Sequence, residues 1–160
     1  GKQLVFMGGE IGQWQEWSAQ RSLDWPLLEY PSHRGLQQCV ADMNRAYQGN
    51  PALWLKDHDP SGFEWIDAND AAGNVFSWLR YDGEGGIATM APVVRDGYRG
   101  GLPAEGHWAG ILNTAAMGYG GSGVGNLGGV MAHDAPWHGR PASARMVLPP
   151  LATVWLRWAG

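Results

Sequence analysis

Carboxylates and tryptophans crowd the stretch from Gly8 to Tyr30, among them Glu10, Glu16, Asp24, Trp14, Trp17 and Trp25, with Gln13 and Arg21 between them. Two carboxyl groups that face each other across a cleft can share nucleophilic and acid–base work. A loop could bring Glu10 or Glu16 to Asp24, but spacing along the chain does not fix their distance. The structural alternative is that Glu10 orients the loop by hydrogen bonds while Asp24 caps or pairs locally. The indoles have a chemistry of their own, because an aromatic face stacks on the flat apolar face of a pyranose ring. Trp14, Trp17 and Trp25 are therefore candidates for sugar contact. They are equally candidates for wedging the loop in place, and Leu23-Asp24-Trp25 reads as a packed turn. Glu10, Gln13, Trp14, Trp17 and Trp25 form the substrate-facing set, and no residue is assigned as catalytic.

The elements that position this loop can be read on either side of it. Leu4-Val5-Phe6-Met7 is a continuous apolar run ended by Gly8-Gly9, the pattern of a strand buried on both faces. After the loop, Leu36, Val40, Met43 and Tyr47 recur at helical spacing. They predict a helix over 33–48 with Ser32 as N-cap, Gly49 as a left-handed terminator and Pro51 as a block. Strand, long loop and helix make one βα unit. Polar and aromatic residues just past the end of a buried parallel strand stand where (β/α)8 barrels build their sites.

Beyond Asn50-Pro51 the pattern changes, and the boundary between two units, 1–50 and 51–160, is placed there. Leu53-Trp54-Leu55 reads as one helical turn. From Gly62 onward short β-type runs alternate with turn signals: 63–66, 75–81, 87–90, 108–113, 130–133, 144–148 and 153–158. Asn69-Asp70, Asp82-Gly83, Arg95-Asp96-Gly97 and Pro149-Pro150 supply the turns. Closely spaced strands and turns predict a β-sandwich. The fold class is thus mixed: the last βα unit of a (β/α)8 barrel followed by an all-β C-terminal sandwich. Trp65, Trp78, Trp108, Trp155 and Trp158 fall in the sandwich, where packing is their expected role, and Trp137 lies in a loop beside His138.

Composition narrows the functional classes. The chain has 160 residues, a net charge of −4, 25 glycines and 10 tryptophans. No lysine–arginine stripe offers phosphate-backbone or membrane attraction, and no stretch reaches the length of a membrane helix. Neither nucleic acid nor a membrane is an expected partner. The single cysteine, Cys39, forms no internal disulfide and fits a reducing cytoplasm. The five histidines lack metal-ligand spacing. The glycine tract 118–129 lacks the flanking strand, helix and Gly-Lys-Ser/Thr of a phosphate loop. It reads as a wide β-connection in which glycines permit positive φ and close backbone approach. Gly1-Lys2-Gln3 carries neither an initiator methionine nor a secretory pattern, so further sequence is expected upstream.

Phe6-Met7-Gly8-Gly9-Glu10-Ile11-Gly12-Gln13 resembles the strand-8 segment of α-amylase-superfamily barrels. Trp14-Gln15-Glu16-Trp17 and Arg21-Ser22-Leu23-Asp24-Trp25 narrow the likeness to 1,4-α-glucan (glycogen) branching enzymes. It continues in order through Gly62-Phe63-Glu64-Trp65-Ile66-Asp67, Gly97-Tyr98-Arg99, Leu112-Asn113-Thr114, the tract Tyr119 to Asn126, Pro136-Trp137-His138-Gly139 and Leu148-Pro149-Pro150-Leu151-Ala152. The resemblance implies transfer of an α-1,4-glucan segment to a 6-hydroxyl, with an α-glucan as partner and no cofactor. Such a retaining reaction uses two carboxylates about 5–5.5 Å apart. In this family they lie on or just after strands 4, 5 and 7, which precede this chain. The catalytic group is thus expected from the missing barrel portion, and the chain alone is expected to be inactive. A non-catalytic glucan-binding or structural module, or the tail of a related α-amylase-superfamily hydrolase, are the alternatives. One segment departs: 83–92 is shorter and richer in glycine than the family's strand, which predicts a weakened central strand.

Overall fold

The computed structural model describes residues 4–70, 73–92 and 95–160. Gly1-Lys2-Gln3, on which the expectation of upstream sequence was read, lies outside the described residues.

The chain opens without the expected strand. Leu4, Val5 and Phe6 form no ladder and stay exposed, Leu4 to 85%. Their apolar character was legible, but a strand needs a partner for its backbone groups, and no other described segment pairs with them. A barrel βα unit is therefore not seen among the described residues. Two short 3-10 turns follow, Gly9–Ile11 and Trp25–Glu29. They lead into helix α1, Pro31–Gly49.

Helix α1 begins two residues earlier than its periodicity predicts. Pro31 sits in the first turn, where its missing N–H is no loss, so Tyr30 rather than Ser32 holds the N-cap position. Gly49 stays helical, and the chain leaves through Asn50 in extended conformation. The Asn50 side chain donates to the Ala46 carbonyl at 2.6 Å and accepts from Arg157 Nη1 at 3.2 Å. One amide thus caps the helix and ties it to the last strand. The buried face is formed by His33, Gly35 and Cys39, whereas Leu36 and Met43 of the expected apolar stripe remain exposed.

Short 3-10 turns at Pro51–Leu53 and Pro60–Gly62 carry the chain into the strands, eight among the described residues. These are β1 (Phe63–Asp70), β2 (Val75–Tyr81), β3 (Gly86–Pro92), β4 (Arg95–Leu102), β5 (Gly106–Asn113), β6 (Gly129–Ala132), β7 (Ala142–Leu148) and β8 (Val154–Trp158). Six form one sheet in the order β1-β2-β3-β8-β5-β6, and β4 pairs with β7 in a second; all pairs are antiparallel. Alternation sets the inner face. Val75, Ser77 and Leu79 of β2 and Ala142, Ala144, Met146 and Leu148 of β7 are buried, and the residues of β2 between them are more open. Between the sheets lies one apolar cluster around Trp108, which is 1% exposed. Its indole N–H donates to the Ala104 carbonyl at 3.0 Å, so the buried polar atom is satisfied.

The structure differs from two sequence expectations. Arg95-Asp96-Gly97 is not a turn but the start of β4, with a register irregularity against β7 and Gly97 at φ +68°. A positive-φ glycine inside a strand pair absorbs an extra residue as a bulge. The strand of the short segment is not weakened: β3 pairs along its whole length with β2 and also with β8, and Ile87, Ala88, Thr89 and Met90 are all buried.

The outer face of the larger sheet is covered at one place. Ala52, Leu53 and Ile87 are buried there against Tyr47 of α1, Ile111 and Trp155. Arg80 fastens the covering segment by donating to the carbonyls of Gly62 at 3.1 Å and Leu53 at 3.2 Å and pairing with the buried Asp57 carboxylate. Among the described residues no helix is long and apolar enough to cross a membrane.

Candidate substrate-facing loop and its anchorage

The loop from Gly8 to Tyr30 is held by its own backbone and by side chains of the loop and of α1. Gly8 at φ +88° and Gly12 at φ +62° reverse the chain on either side of the buried Ile11. These are conformations that glycine adopts without strain. The Ile11 carbonyl accepts from Nδ1 of the buried His33 at 2.7 Å, which pins this turn to α1. Gln13 then braces the rest. Its N–H bonds the Gly8 carbonyl at 3.1 Å, its side-chain oxygen accepts from the Asp24 N–H at 3.0 Å, and its amide nitrogen donates to the Gln15 carbonyl at 3.0 Å. Arg21 closes the far side on the Gln15 side chain.

The tryptophans do not converge on one platform. Trp14 is 73% exposed and meets His33 in a T-shaped contact at 5.3 Å and Tyr30 in a tilted one at 6.2 Å between ring centroids. Trp17, about half exposed, meets Phe6 edge-on at 5.5 Å. Trp25 opens the second 3-10 turn, also half exposed. Asp24 occupies the N-cap position of that turn, but its carboxylate makes no capping bond. Glu10 is partly exposed and Glu16 exposed. Gln13 orients the loop, and the Glu10 side chain makes no hydrogen bond among the described residues. Tyr30 and His33 join the Trp14 surface and were not singled out from the sequence. Their only signal was their place beside Pro31 at the helix start.

The loop and α1 rest on the β-sandwich through the glycine tract. Met117–Tyr119 forms a 3-10 turn ended by Gly120 at φ +81°. A Cβ at Gly35 would lie 2.5 Å from the Tyr119 carbonyl oxygen, and one at Gly121 would lie 2.3 Å from that of Ala115. The tract also folds onto β5 and β7. Asn113 donates to the Val124 carbonyl at 2.8 Å, and Asn126 exchanges two bonds with the Val147 backbone at 2.9 and 2.7 Å. The connection is thus a packed backbone wedge, as its glycines predict.

Charge at this junction is local. The Tyr119 hydroxyl donates to Asp42 at 2.8 Å. Burial, then this bond and the Asp42 charge, push the phenol up to about 12. Hydrogen bonds from Gln38 and then Tyr119 hold the Asp42 carboxyl below its ordinary value. Burial, followed by the Asp42 charge, raises the Cys39 thiol, which makes it a poor nucleophile.

Comparison with known proteins places these features. Residues 65–159 match the family described as alpha amylase, C-terminal all-beta domain. The chain is 53% identical over 161 aligned residues to the 1,4-alpha-glucan branching enzyme GlgB of Leifsonia xyli subsp. xyli, covering 98% of this chain and 22% of the relative. It is 49% identical to that of Aquifex aeolicus, covering 100% of this chain and 26% of the relative. The chain thus spans about a quarter or less of the curated relatives it matches. A looser likeness, at TM-score 0.46 and 15% identity, covers 78% of this chain and 20% of an alpha-amylase from H.orenii.

Proposed function

Because this chain belongs to the family of alpha-amylase C-terminal all-beta domains, we propose that it serves as the tail of a 1,4-α-glucan branching enzyme. The observation that carries this reading is the extent of the likeness. Identity near one half runs over 98% of the chain, including the loop and α1, which lie before the matched all-β domain. Such an enzyme cuts an α-1,4 link and passes the freed segment to a 6-hydroxyl. The two carboxylates of that step come from chain preceding Leu4. Here residues 1–50 contribute the last strand, loop and helix of a (β/α)8 barrel, and 51–160 form the supporting sandwich. The exposed run Leu4–Met7 is the strand that the upstream staves cover. Glu10, Gln13, Trp14, Trp17 and Trp25 border the glucan, with Trp14 making direct contact and Gln13 holding the loop. The compartment is the cytoplasm.

A purified sample of this chain, incubated with amylose, is expected to form no α-1,6 branches, and the same sequence joined to its upstream polypeptide is expected to form them. Appreciable turnover by the chain alone overturns the assignment. The exposed tryptophans of the loop favour a second reading, glucan binding without catalysis. Affinity electrophoresis in glycogen-containing gels separates the two, since an unretarded chain removes the binding module.

A further inference from the structure

The outer face of the β4–β7 ribbon sets two arginines side by side. Arg99 and Arg145 are direct partners in its register, an arrangement in which like charges repel. One step along the ribbon, Ser143 pairs with Gly101 and also bridges to His133 at the end of β6. These side chains share the face opposite Tyr98, Ala142, Ala144 and Met146, which point into the core. Together with Met131 they line a groove of about 440 Å³, within the size range of small-ligand sites.

Arg99 is fixed before any ligand arrives. Its Nε donates to Ser143 Oγ at 3.0 Å, its Nη2 donates to the Ala135 carbonyl at 3.3 Å, and its guanidinium carbon lies 4.6 Å above the Trp137 ring. Those bonds use two of the five N–H groups a guanidinium offers. Neither Arg99 nor Arg145 forms an ion pair among the described residues. The adjacent Asp134 is exposed and bonded to neither. Paired, uncompensated guanidinium groups in a chain of net charge −4 are relieved by an oxyanion placed between them. A tetrahedral phosphoryl group presents enough oxygens to meet two forks at once.

We propose that this groove binds the phosphoryl group of a phosphate monoester, with the organic part lying toward Met131 and His133. Titration calorimetry of the protein with glucose 6-phosphate at low ionic strength tests it. Saturable binding is expected, weakened roughly tenfold or more in Arg145→Gln, as when one charge-assisted bond is removed. Arg145 is exposed, so this variant is expected to melt with the parent. Arg99→Lys keeps the charge but loses the fork, and binding is expected to weaken there too. Parallel titrations with a phosphorylated maltooligosaccharide and with inorganic phosphate distinguish a metabolite from a modified glucan as the source. No saturable binding of either ester, binding undiminished by Arg145→Gln, or binding of inorganic phosphate alone overturns the proposal.

Discussion

The Tyr119 hydroxyl donates to the Asp42 carboxylate at 2.8 Å across 77 residues of sequence. It joins the glycine tract of the sandwich to the middle of α1. Because the phenol is pushed up to about 12 from an ordinary 10, the folded state holds this proton when the unfolded state has released it. The stabilisation is fully present below pH 10 and is lost as pH rises toward 12. Melting temperatures recorded across that window are expected to fall less steeply in Tyr119→Phe than in the parent. Parallel curves would remove the linkage.

The same junction makes a sharper prediction about volume. Gly35 lies inside α1, so Gly35→Ala should gain about 1 kcal/mol in helix propensity. The new Cβ, however, would meet the Tyr119 carbonyl at 2.5 Å, and backbone atoms cannot step aside as a flexible side chain can. Forced overpacking costs about 1–3 kcal/mol, so net destabilisation is expected. Gly49→Ala is the control. It is also helical, with nothing within 4 Å of the added atom, and should be neutral or stabilising. Urea midpoints of the two variants moving in the same direction would contradict the close approach.

Arg80 and Asp57 form a pair whose side chains are 12% and 3% exposed. The guanidinium also satisfies two carbonyls of the segment between α1 and β1. Removing one partner of a buried pair leaves an uncompensated charge and costs about 3–5 kcal/mol. Arg80→Ala is therefore expected to lose that much in denaturant unfolding and to open 51–62 to proteolysis. A loss comparable to that of an exposed pair would place the segment's anchorage elsewhere.

Most strands of the sandwich could be read directly because each carries its own signal. Val75 to Tyr81 alternates cleanly between faces, and Asp82-Gly83 ends it. Strand β4 was hidden for a physical reason. Its side of the ribbon lies under the loop carrying Trp137, whose carbonyl would sit 2.2 Å from a Cβ at Gly101, so glycines replace the apolar residues that mark a strand. Gly97, at φ +68° within a bulge, reads locally as a turn. At the other end of the chain the residue pattern lacks a partner. Leu4 to Met7 has the composition of a buried strand, but composition cannot supply the neighbours that a ladder requires. In the loop, residue type revealed the exposed tryptophans. It could not reveal that Gln13 is the brace, since that role depends on Gly8, Gln15 and Asp24 being brought together by the fold.

That division of labour yields the last prediction. Trp14 is the most exposed of the loop tryptophans and meets Tyr30 and His33 through ring contacts alone, so its removal leaves the loop's hydrogen bonds intact. Stacking on a pyranose uses the ring face, and most of Trp14 is open to solvent. Trp14→Ala is therefore expected to reduce retardation in glycogen gels while shifting thermal stability little. Gln13→Ala removes the acceptor for the Asp24 N–H and the donor to the Gln15 carbonyl. Each such bond is worth about 0.5–1.5 kcal/mol, so this variant should lose stability as well as retardation. If Trp14→Ala unfolds the chain, or if it binds glycogen as the parent does, the indole is packing material and the glucan-facing role of the loop fails with it.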